Sequence, residues 1–230
     1  MDFKTALIVG VGPGLSASLA RLFARHGLQV AMAAREPDKL QKLAEETAGV
    51  TFACDATEPE EVAALFDVVI ATQGVPDIVV YNASARARGP VTELIPEEVA
   101  HAISVSAYGG FLVVQQAARH MVSRGSGVIL LTGASASVKG YPNSSAFAMG
   151  KFALRGLASS MARELSPKGV HVAHFVIDGG IRSSARPDPN DKPDSTFDPD
   201  AIAETYWQVA NQPRSAWTWE LELRPWVEKF

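Results

Sequence analysis

The chain of 230 residues is 47% hydrophobic and 20% charged, and its formal net charge at pH 7 is -4. This length suits one domain with a large core, so we predict a single domain over residues 1–230. A negative net charge without a basic run argues against nucleic acid as the main partner, and no run of about eighteen apolar residues predicts a membrane span.

The first 35 residues predict a strand, a glycine-rich loop, a helix and a second strand. Residues 5–9 are an apolar run, residues 15–26 carry apolar side chains at helical spacing, and residues 29–34 are again apolar. The loop contains Gly10, Gly12, Pro13 and Gly14. Glycine there lets a ligand approach the backbone, and the free N–H groups of the helix start bind phosphate. The unit predicts a dinucleotide diphosphate site; the alternative is a glycine-rich turn that binds nothing.

The end of the second strand bears on the choice of cofactor. About twenty residues after the glycines, a dinucleotide fold places an acid for the ribose 2′-OH or a base for a 2′-phosphate. Ala34 and Arg35 stand at that point, so no carboxylate opposes a phosphate and a guanidinium is present to bind one. We therefore predict NADP(H) rather than NAD(H), unless Arg35 is an ordinary solvated residue.

Helices and strands alternate through the rest of the chain. Strands are predicted at 50–53, 77–81, 128–131, 171–177 and 218–223, and helices at 36–48, 57–73, 96–124, 145–165 and 198–211. This alternation predicts an α/β fold, a Rossmann-type doubly wound parallel sheet of about seven strands with helices on both faces. Residues 183–198 are rich in Pro, Asp and Ser and form a long loop, which is typical of a lid or a disordered segment.

Cysteine and histidine usage points to a protein without disulfides or metal. Cys54 is the single cysteine and is predicted to be a small buried residue at a strand end. One cysteine excludes an internal disulfide and fits a reducing compartment, so we predict a cytoplasmic protein. The sequence enters its first strand at once, so no signal peptide is predicted. His171 and His174 share a strand but point to opposite faces, so no metal site is predicted.

Candidate ligand-binding residues are those that follow each strand, because parallel sheets bind ligands beyond the carboxyl ends of their strands. They are residues 10–14, 82–84, 132–135 and 178–183, with Arg35 and Asp55. Taken in order, the glycine loop, Asp55, Asn82-Ala83, Lys151 and Gly179 resemble the short-chain dehydrogenase/reductase family over nearly the full length of the chain.

The resemblance implies roles in binding a nicotinamide cofactor. The family's glycine motif corresponds to Gly10, Gly12, Pro13, Gly14, Leu15 and Ser16, where Ser16 replaces the third glycine and its hydroxyl could bond a phosphate. Asp55, with Ala56 beside it, would bind the adenine amino group, and Lys151 would bind the nicotinamide ribose hydroxyls. Asn82, Ala83 and Ser84 would line the adenosine ribose and support the central strand. The element whose backbone faces the carboxamide corresponds to Asp178, Gly179, Gly180, Ile181 and Ser183.

The sequence departs from the family at the positions that carry the chemistry. The family's proton-donating tyrosine stands four residues before the lysine, about one helical turn, and that position is Phe147 here. A phenyl ring has no exchangeable proton. The partner serine falls at Ala134, and the asparagine that holds a proton-relay water falls at Ser106. Catalytic candidates are therefore Lys151, Ser135 next to Ala134, Ser106, Phe147 at the tyrosine position, and Tyr141 as the nearest phenol.

Three functions remain open at this point. The first is an NADP(H)-dependent oxidoreductase with an altered catalytic tetrad that acts on a small carbonyl or alcohol compound. The second is a nucleotide-binding regulatory or partner protein without turnover. The third is an enoyl (C=C) reductase, because divergent family members of that kind have a serine at the Ser16 position; their tyrosine, seven residues before the lysine, would be Ser144.

Self-association is a further expectation from the resemblance. The family commonly pairs its two long helices, here residues 96–124 and 145–165, with the same helices of a neighbour. Both helices carry small or apolar residues on more than one face, which must be covered. We predict a homo-oligomer, a dimer or more specifically a tetramer.

Overall fold

One parallel sheet organises the fold. The computed structural model describes residues 2–183, 186–189, 191 and 193–227, and within them seven strands pair in the order β3-β2-β1-β4-β5-β6-β7. The strands are β1 (Thr5–Val9), β2 (Gln29–Ala34), β3 (Val50–Ala53), β4 (Ile78–Tyr81), β5 (Gly127–Thr132), β6 (Val170–Ile177) and β7 (Glu220–Leu223). All neighbours run parallel. The central strands are buried on both faces, which explains their continuous apolar runs.

Helices cover both faces of the sheet, as the alternation of elements predicts. They are α1 (Leu15–Arg25), α2 (Gln41–Thr47), α3 (Pro59–Gln73), α4 (Pro96–Ile103), α5 (Gly109–Arg124), α6 (Ser145–Leu165) and α7 (Pro199–Ala210). One apolar core places Phe23 of α1 and Tyr206 of α7 against one face, and a second places Phe66 of α3 and Leu154 of α6 against the other. The fold is therefore the doubly wound sheet that the sequence predicts.

The predicted helix over 96–124 is interrupted. Residues Ser104–Tyr108 form a π-helical turn between α4 and α5. Tyr81 causes the interruption: its hydroxyl donates to the carbonyl oxygen of Val105, which an unbroken α-helix would use within its own ladder. A Cβ on Gly109 would lie 2.5 Å from that hydroxyl, so glycine is required beside it.

Two further helix boundaries differ from prediction. The segment expected as a helix over 36–48 begins as a 3-10 turn, Pro37–Leu40, before α2. The helix expected from residue 57 begins at Pro59, because the Thr57 hydroxyl and amide both donate to Asp55 instead of opening the helix. In the part of the chain that the structure describes, no helix has both the length and the hydropathy needed to cross a bilayer.

The strand order reverses between β1 and β4. Chain connections run outward from β1 to one side of the sheet and from β4 to the other, which leaves a crevice beyond the carboxyl ends of these two strands. The glycine loop follows β1 and Asn82 follows β4, so both lie at this crevice.

Candidate active site

A cavity of about 610 Å³ occupies the crevice at the carboxyl edge of the sheet. The following predicted cofactor-binding residues line it: Gly10, Gly12, Pro13, Gly14, Leu15, Ser16, Arg35, Asp55, Ala56, Asn82, Ala83, Ser84, Lys151, Gly179, Ile181 and Ser183. Phe147 and Ala134, at the positions where the family has its tyrosine and serine, line it as well. The structure therefore brings together residues that the sequence spreads over 174 positions, from Gly10 to Ser183.

The glycine loop leaves its backbone accessible to a ligand. A Cβ on Gly12 or Gly14 would meet nothing within 4 Å, whereas one on Gly10 would lie 2.3 Å from the amide nitrogen of Ala83. Gly10 also has a φ of +85°, which side chains rarely adopt. No side chain caps the first turn of α1, so its N–H groups remain available to an anion. The loop fits a dinucleotide diphosphate.

Ser16 connects the glycine loop to the end of β4. Its hydroxyl donates to the carbonyl oxygen of Gly10 at 3.0 Å and accepts from the Asn82 side-chain amide at 2.7 Å. Ser16 is 1% exposed. The hydroxyl that could have bonded a phosphate is thus already engaged, and it fixes the loop against the strand where the chain order reverses.

Arg35 and Asp55 lie at the adenosine end of the cavity. Burial opposes the charge on Asp55, but hydrogen bonds from Thr57 and the positive charges of Arg35 and His101 outweigh it and lower the pKa of this carboxyl. Asp55 is therefore ionised at neutral pH and can accept from an adenine amino group. No ion pair among the described residues involves Arg35, whose guanidinium remains available to a phosphate.

Lys151 is the buried cation at the opposite end. Its Nζ donates to the carbonyl oxygen of Thr132 at 2.7 Å, and the residue is 3% exposed. The Thr132 hydroxyl is paired with Tyr206 at 2.9 Å, which fixes the end of β5. Burial, followed by the nearby charge of Arg86, lowers the pKa of Lys151 to about 7.

Phe147 lies one turn before Lys151 on α6 and faces the same cavity. The Lys151 Nζ is 5.9 Å from the centroid of its ring. The guanidinium carbon of Arg86 is 3.9 Å from the same centroid, in a cation–π contact. Burial, together with the charges of Arg88 and Arg186, lowers the pKa of Arg86. Two cations therefore flank the ring that replaces the family's phenol.

Five predicted site residues do not line the cavity. Ser135 lies in a short 3-10 turn after β5, and Ser106 is fully buried with its hydroxyl against the backbone of Ala85. Tyr141 is 41% exposed. Asp178 and Gly180 flank the lining residue Gly179, and Asp178 is paired with Lys139 and Arg224.

Two charged residues that line the cavity were not among the sequence-based candidates for binding or catalysis. They are Arg86 and Arg186. Arg86 follows the end of β4 by a few residues, so the rule that ligands bind beyond strand ends is the signal that could have found it. Arg186 lies in the long loop after β6, where the sequence offers no periodicity to indicate which side chains face the cavity.

The His, Cys, Asp and Glu side chains of the described residues do not form a metal site. No group of three His, Cys, Asp or Glu side chains within them is placed to bind a metal ion. His171 pairs through its ring with the carbonyl oxygen of Thr218, and His174 pairs with Glu220. Cys54 is buried, and burial raises the pKa of its thiol to about 12.

Comparisons with known proteins agree with this geometry. The family model described as short chain dehydrogenase matches residues 4–192. An uncharacterized oxidoreductase of Staphylococcus aureus (strain N315) is 27% identical over 228 residues, which cover 96% of this chain and 97% of that protein. The crystal structure of a short-chain dehydrogenase from Rhodopseudomonas palustris superposes with a TM-score of 0.84 at 34% identity, covering 97% of this chain and 99% of that one. An alcohol dehydrogenase from Thermococcus sibiricus, complexed with 5-hydroxy-NADP, gives 0.86 at 26% identity and 98% coverage of both chains.

Proposed function

The chain belongs to the short-chain dehydrogenase family and is an oxidoreductase of that family, and from this premise we propose that it is an NADP(H)-dependent enzyme acting on a small carbonyl or alcohol compound. The proposal rests on one observation: the accessible glycine loop, Asp55 and the buried Lys151 all line the same cavity. A nicotinamide cofactor needs all three: a phosphate cradle, an adenine partner and a ribose partner.

The preference for NADP(H) rests on Arg35. Its guanidinium lines the adenosine end of the cavity and has no carboxylate partner among the described residues, and the neighbouring Ala34 adds no negative charge. The structure of the Thermococcus sibiricus relative contains an NADP derivative, which is consistent with a 2′-phosphate at this position.

Arg35→Ala is expected to weaken NADPH binding by about 1.5–3 kcal/mol, the range for a hydrogen bond to a charged group. NADH lacks the 2′-phosphate, so its affinity should change little. Calorimetry with both cofactors on both proteins measures the difference. Arg25→Ala, which removes an arginine whose side chain is 59% exposed and lies outside the cavity, is the matched control and should leave both affinities unchanged. Equal affinity of the wild type for NADPH and NADH contradicts the assignment of Arg35.

The cofactor, when bound, supplies or accepts the hydride, and the protein residues position the reactants and stabilise charge. Lys151, fixed by the Thr132 carbonyl, would bind the ribose hydroxyls. As a carbonyl is reduced, negative charge grows on its oxygen, and the charges of Lys151 and Arg86 beside the Phe147 ring would stabilise it. Phe147 has no proton to give, and Ser135 and Tyr141 do not line the cavity. Because none of the predicted hydroxyl-bearing catalytic candidates lines the cavity, we propose solvent water as the proton source and expect slow turnover.

A protein that binds NADP(H) without turnover is the second candidate. The observation that favours it is the absence of a hydroxyl at Phe147 and at Ala134, both of which face the cavity. A third candidate, reduction of an activated C=C bond, is favoured by Ser16, although the residue seven before Lys151 is Ser144 rather than a tyrosine.

An NADPH oxidation assay separates these candidates. The purified protein, with NADPH binding verified by calorimetry, is assayed against aldehydes, ketones and enones. Turnover of a ketone or aldehyde supports the proposed function. Turnover confined to enones replaces it with enoyl reduction, and stoichiometric NADPH binding without oxidation of any substrate replaces it with the silent binding role.

A homo-oligomer is proposed through α5 and α6. Large apolar side chains are exposed on these helices and on the turn before α5: Tyr108 is 44% exposed, Phe111 41%, Met149 53% and Phe152 43%. Contiguous exposed apolar surface marks an association site. We expect light scattering at micromolar concentration to give a tetramer; a dimer would still support pairing of the helices, and a monomer contradicts it.

A further inference from the structure

The end of the cavity around Lys151 carries an excess of positive charge. Arg86, Lys151, Arg182 and Arg186 line this end, whereas Asp55, the one carboxylate among the described lining residues, lies at the adenosine end. Asp178, next to the lining residue Gly179, is buried against Lys139 and Arg224 and does not line the cavity. The charges that face a substrate here are cations.

Arg86 and Arg186 lack a compensating acid among the described residues. Arg182 forms ion pairs with Asp188 at 3.3 Å and Asp198 at 2.6 Å, which neutralise it. No ion pair within the described residues involves Arg86 or Arg186, and Arg186 lies with its guanidinium nitrogen against Gly180. The mutual repulsion of Arg86, Arg88 and Arg186 contributes to the lowered pKa of Arg86. An anion placed between these guanidinium groups would relieve the repulsion.

The stacking of Arg86 on Phe147 orients it for such an anion. A guanidinium packed on an aromatic face keeps its N–H donors free, because they lie in the plane of the group and point outward from it. The ring–guanidinium distance is 3.9 Å, and the structure gives the Arg86 side chain no hydrogen-bond partner among the described residues. The fork geometry of arginine matches the two oxygens of a carboxylate or phosphate.

We propose that the substrate carries a carboxylate or phosphate group, and that Arg86, held on Phe147 and assisted by Arg186, binds this group beside the reacting carbon. The inference rests on the proposed function, because it places the substrate next to the nicotinamide. The class is that of small oxo acids or phosphorylated ketones and the corresponding hydroxy compounds. The cofactor's diphosphate has its own cradle at the glycine loop, in the other half of the cavity.

The test compares matched charged and neutral ligands by calorimetry on the protein saturated with NADP+. Acetoacetate is paired with methyl acetoacetate, and dihydroxyacetone phosphate with dihydroxyacetone. We expect the charged member of at least one pair to bind at least about tenfold more tightly, the factor that follows from one charge-assisted contact, and its affinity to fall as salt is added. Tighter binding of the charged member in the first pair identifies a carboxylate as the recognised group, and tighter binding of the charged member in the second pair identifies a phosphate.

Substitution of Arg86 assigns the contact. Arg86→Gln should lower the affinity for the charged ligand about 10- to 100-fold and leave the affinity for its neutral partner unchanged. Arg86→Lys should retain part of the preference for the charged ligand. Arg25→Gln is the matched control: it removes the charge of an exposed arginine that does not line the cavity, and it should leave the affinity unchanged. Each variant is also titrated with NADP+ alone.

Each contrary outcome has its own meaning. Equal binding of charged and neutral members, or no binding of any of the four ligands at about 10 mM, overturns the anionic substrate while leaving the cofactor assignment intact. If Arg86→Gln weakens NADP+ as much as the charged ligand, the guanidinium serves the cofactor and the proposal is wrong. Failure of NADP+ and NADPH to bind the wild type overturns the proposed function itself, and this result is obtained before any substrate is added.

Discussion

The double variant Phe147→Tyr/Ala134→Ser is expected to reduce a carbonyl substrate about 100- to 10,000-fold faster than the wild type, the range for a positioned general acid. Both positions line the cavity beside Lys151. Phe147 is 8% exposed, and the change keeps the ring while adding one hydroxyl to it. The charges of Lys151, whose Nζ is 5.9 Å from the ring centroid, and of Arg86 at 3.9 Å should lower the pKa of the new phenol.

The measurement is NADPH oxidation with a ketone or aldehyde panel, extended to the charged ligands described above. The single variant Phe147→Tyr should give most of the gain, because the phenol supplies the proton and the serine only assists. Phe3→Tyr makes the same chemical change near Trp207, away from the cavity, and should leave the rate unchanged.

Two results contradict this expectation. High turnover of ordinary ketones by the wild type, unchanged in the variant, means that the proton comes from another group and that the role given to the Phe147 position is wrong. If wild type and variants all bind NADPH tightly and none oxidises it, the silent binding role replaces the enzymatic one.

Lys151→Met is expected to stabilise the cofactor-free protein, and more so at low pH. Burial lowers the pKa of Lys151 from 10.5 to about 7, so the folded state resists a proton that the unfolded state binds readily. Below about pH 7 both states carry the charge and the folded state bears its full desolvation cost. Between pH 7 and about 10.5 the unfolded state binds more protons, so the stability of the wild type rises with pH.

The advantage of the variant therefore shrinks as pH rises. One pKa unit corresponds to about 1.4 kcal/mol, so the gain in unfolding free energy from Lys151→Met should be roughly 2–3 kcal/mol larger at pH 6 than at pH 9. Methionine fills a similar volume, but the Thr132 carbonyl loses its partner, which costs about 1 kcal/mol at both pH values. Urea unfolding at the two pH values measures the difference.

The control for this experiment is a lysine whose charge stays in water. Lys42→Met removes a side chain that is 90% exposed and should show no such pH dependence. A gain for Lys151→Met that is constant between pH 6 and pH 9, or that increases with pH, means that Lys151 is not held in a desolvated site.

The fold could be predicted from the sequence because its signals are local. A strand buried on both faces must be apolar throughout, as Ile78–Tyr81 and Gly127–Thr132 are, and a helix on the sheet must repeat apolar residues every three or four positions. The glycines of the first loop mark a position where backbone and ligand meet, and Gly10 indeed has no room for a Cβ beside Ala83. Alternation of these elements leaves the doubly wound parallel sheet as the expected architecture, and this prediction is confirmed.

Local patterns failed where a distant side chain decides the local structure. The sequence of residues 96–124 reads as one helix, and nothing within it predicts the π-helical turn at Ser104–Tyr108. The turn forms because the hydroxyl of Tyr81, on strand β4 beneath the helix, donates a hydrogen bond to the carbonyl oxygen of Val105. The same limit applies to Thr57, whose side chain bonds Asp55 rather than opening a helix.

The chemistry of the site depends most on tertiary structure. The sequence by itself determined that a phenyl ring precedes Lys151 by one helical turn, and that the ends of the strands supply the cavity wall. Only the folded chain decided which polar groups face that cavity: Ser135 and Tyr141 do not, whereas Arg86 lies on the Phe147 ring. Arg86 and Phe147 are 61 residues apart, and their contact follows from the packing of α6 beside β6, α4 and the π-helical turn, which no spacing rule along the chain encodes.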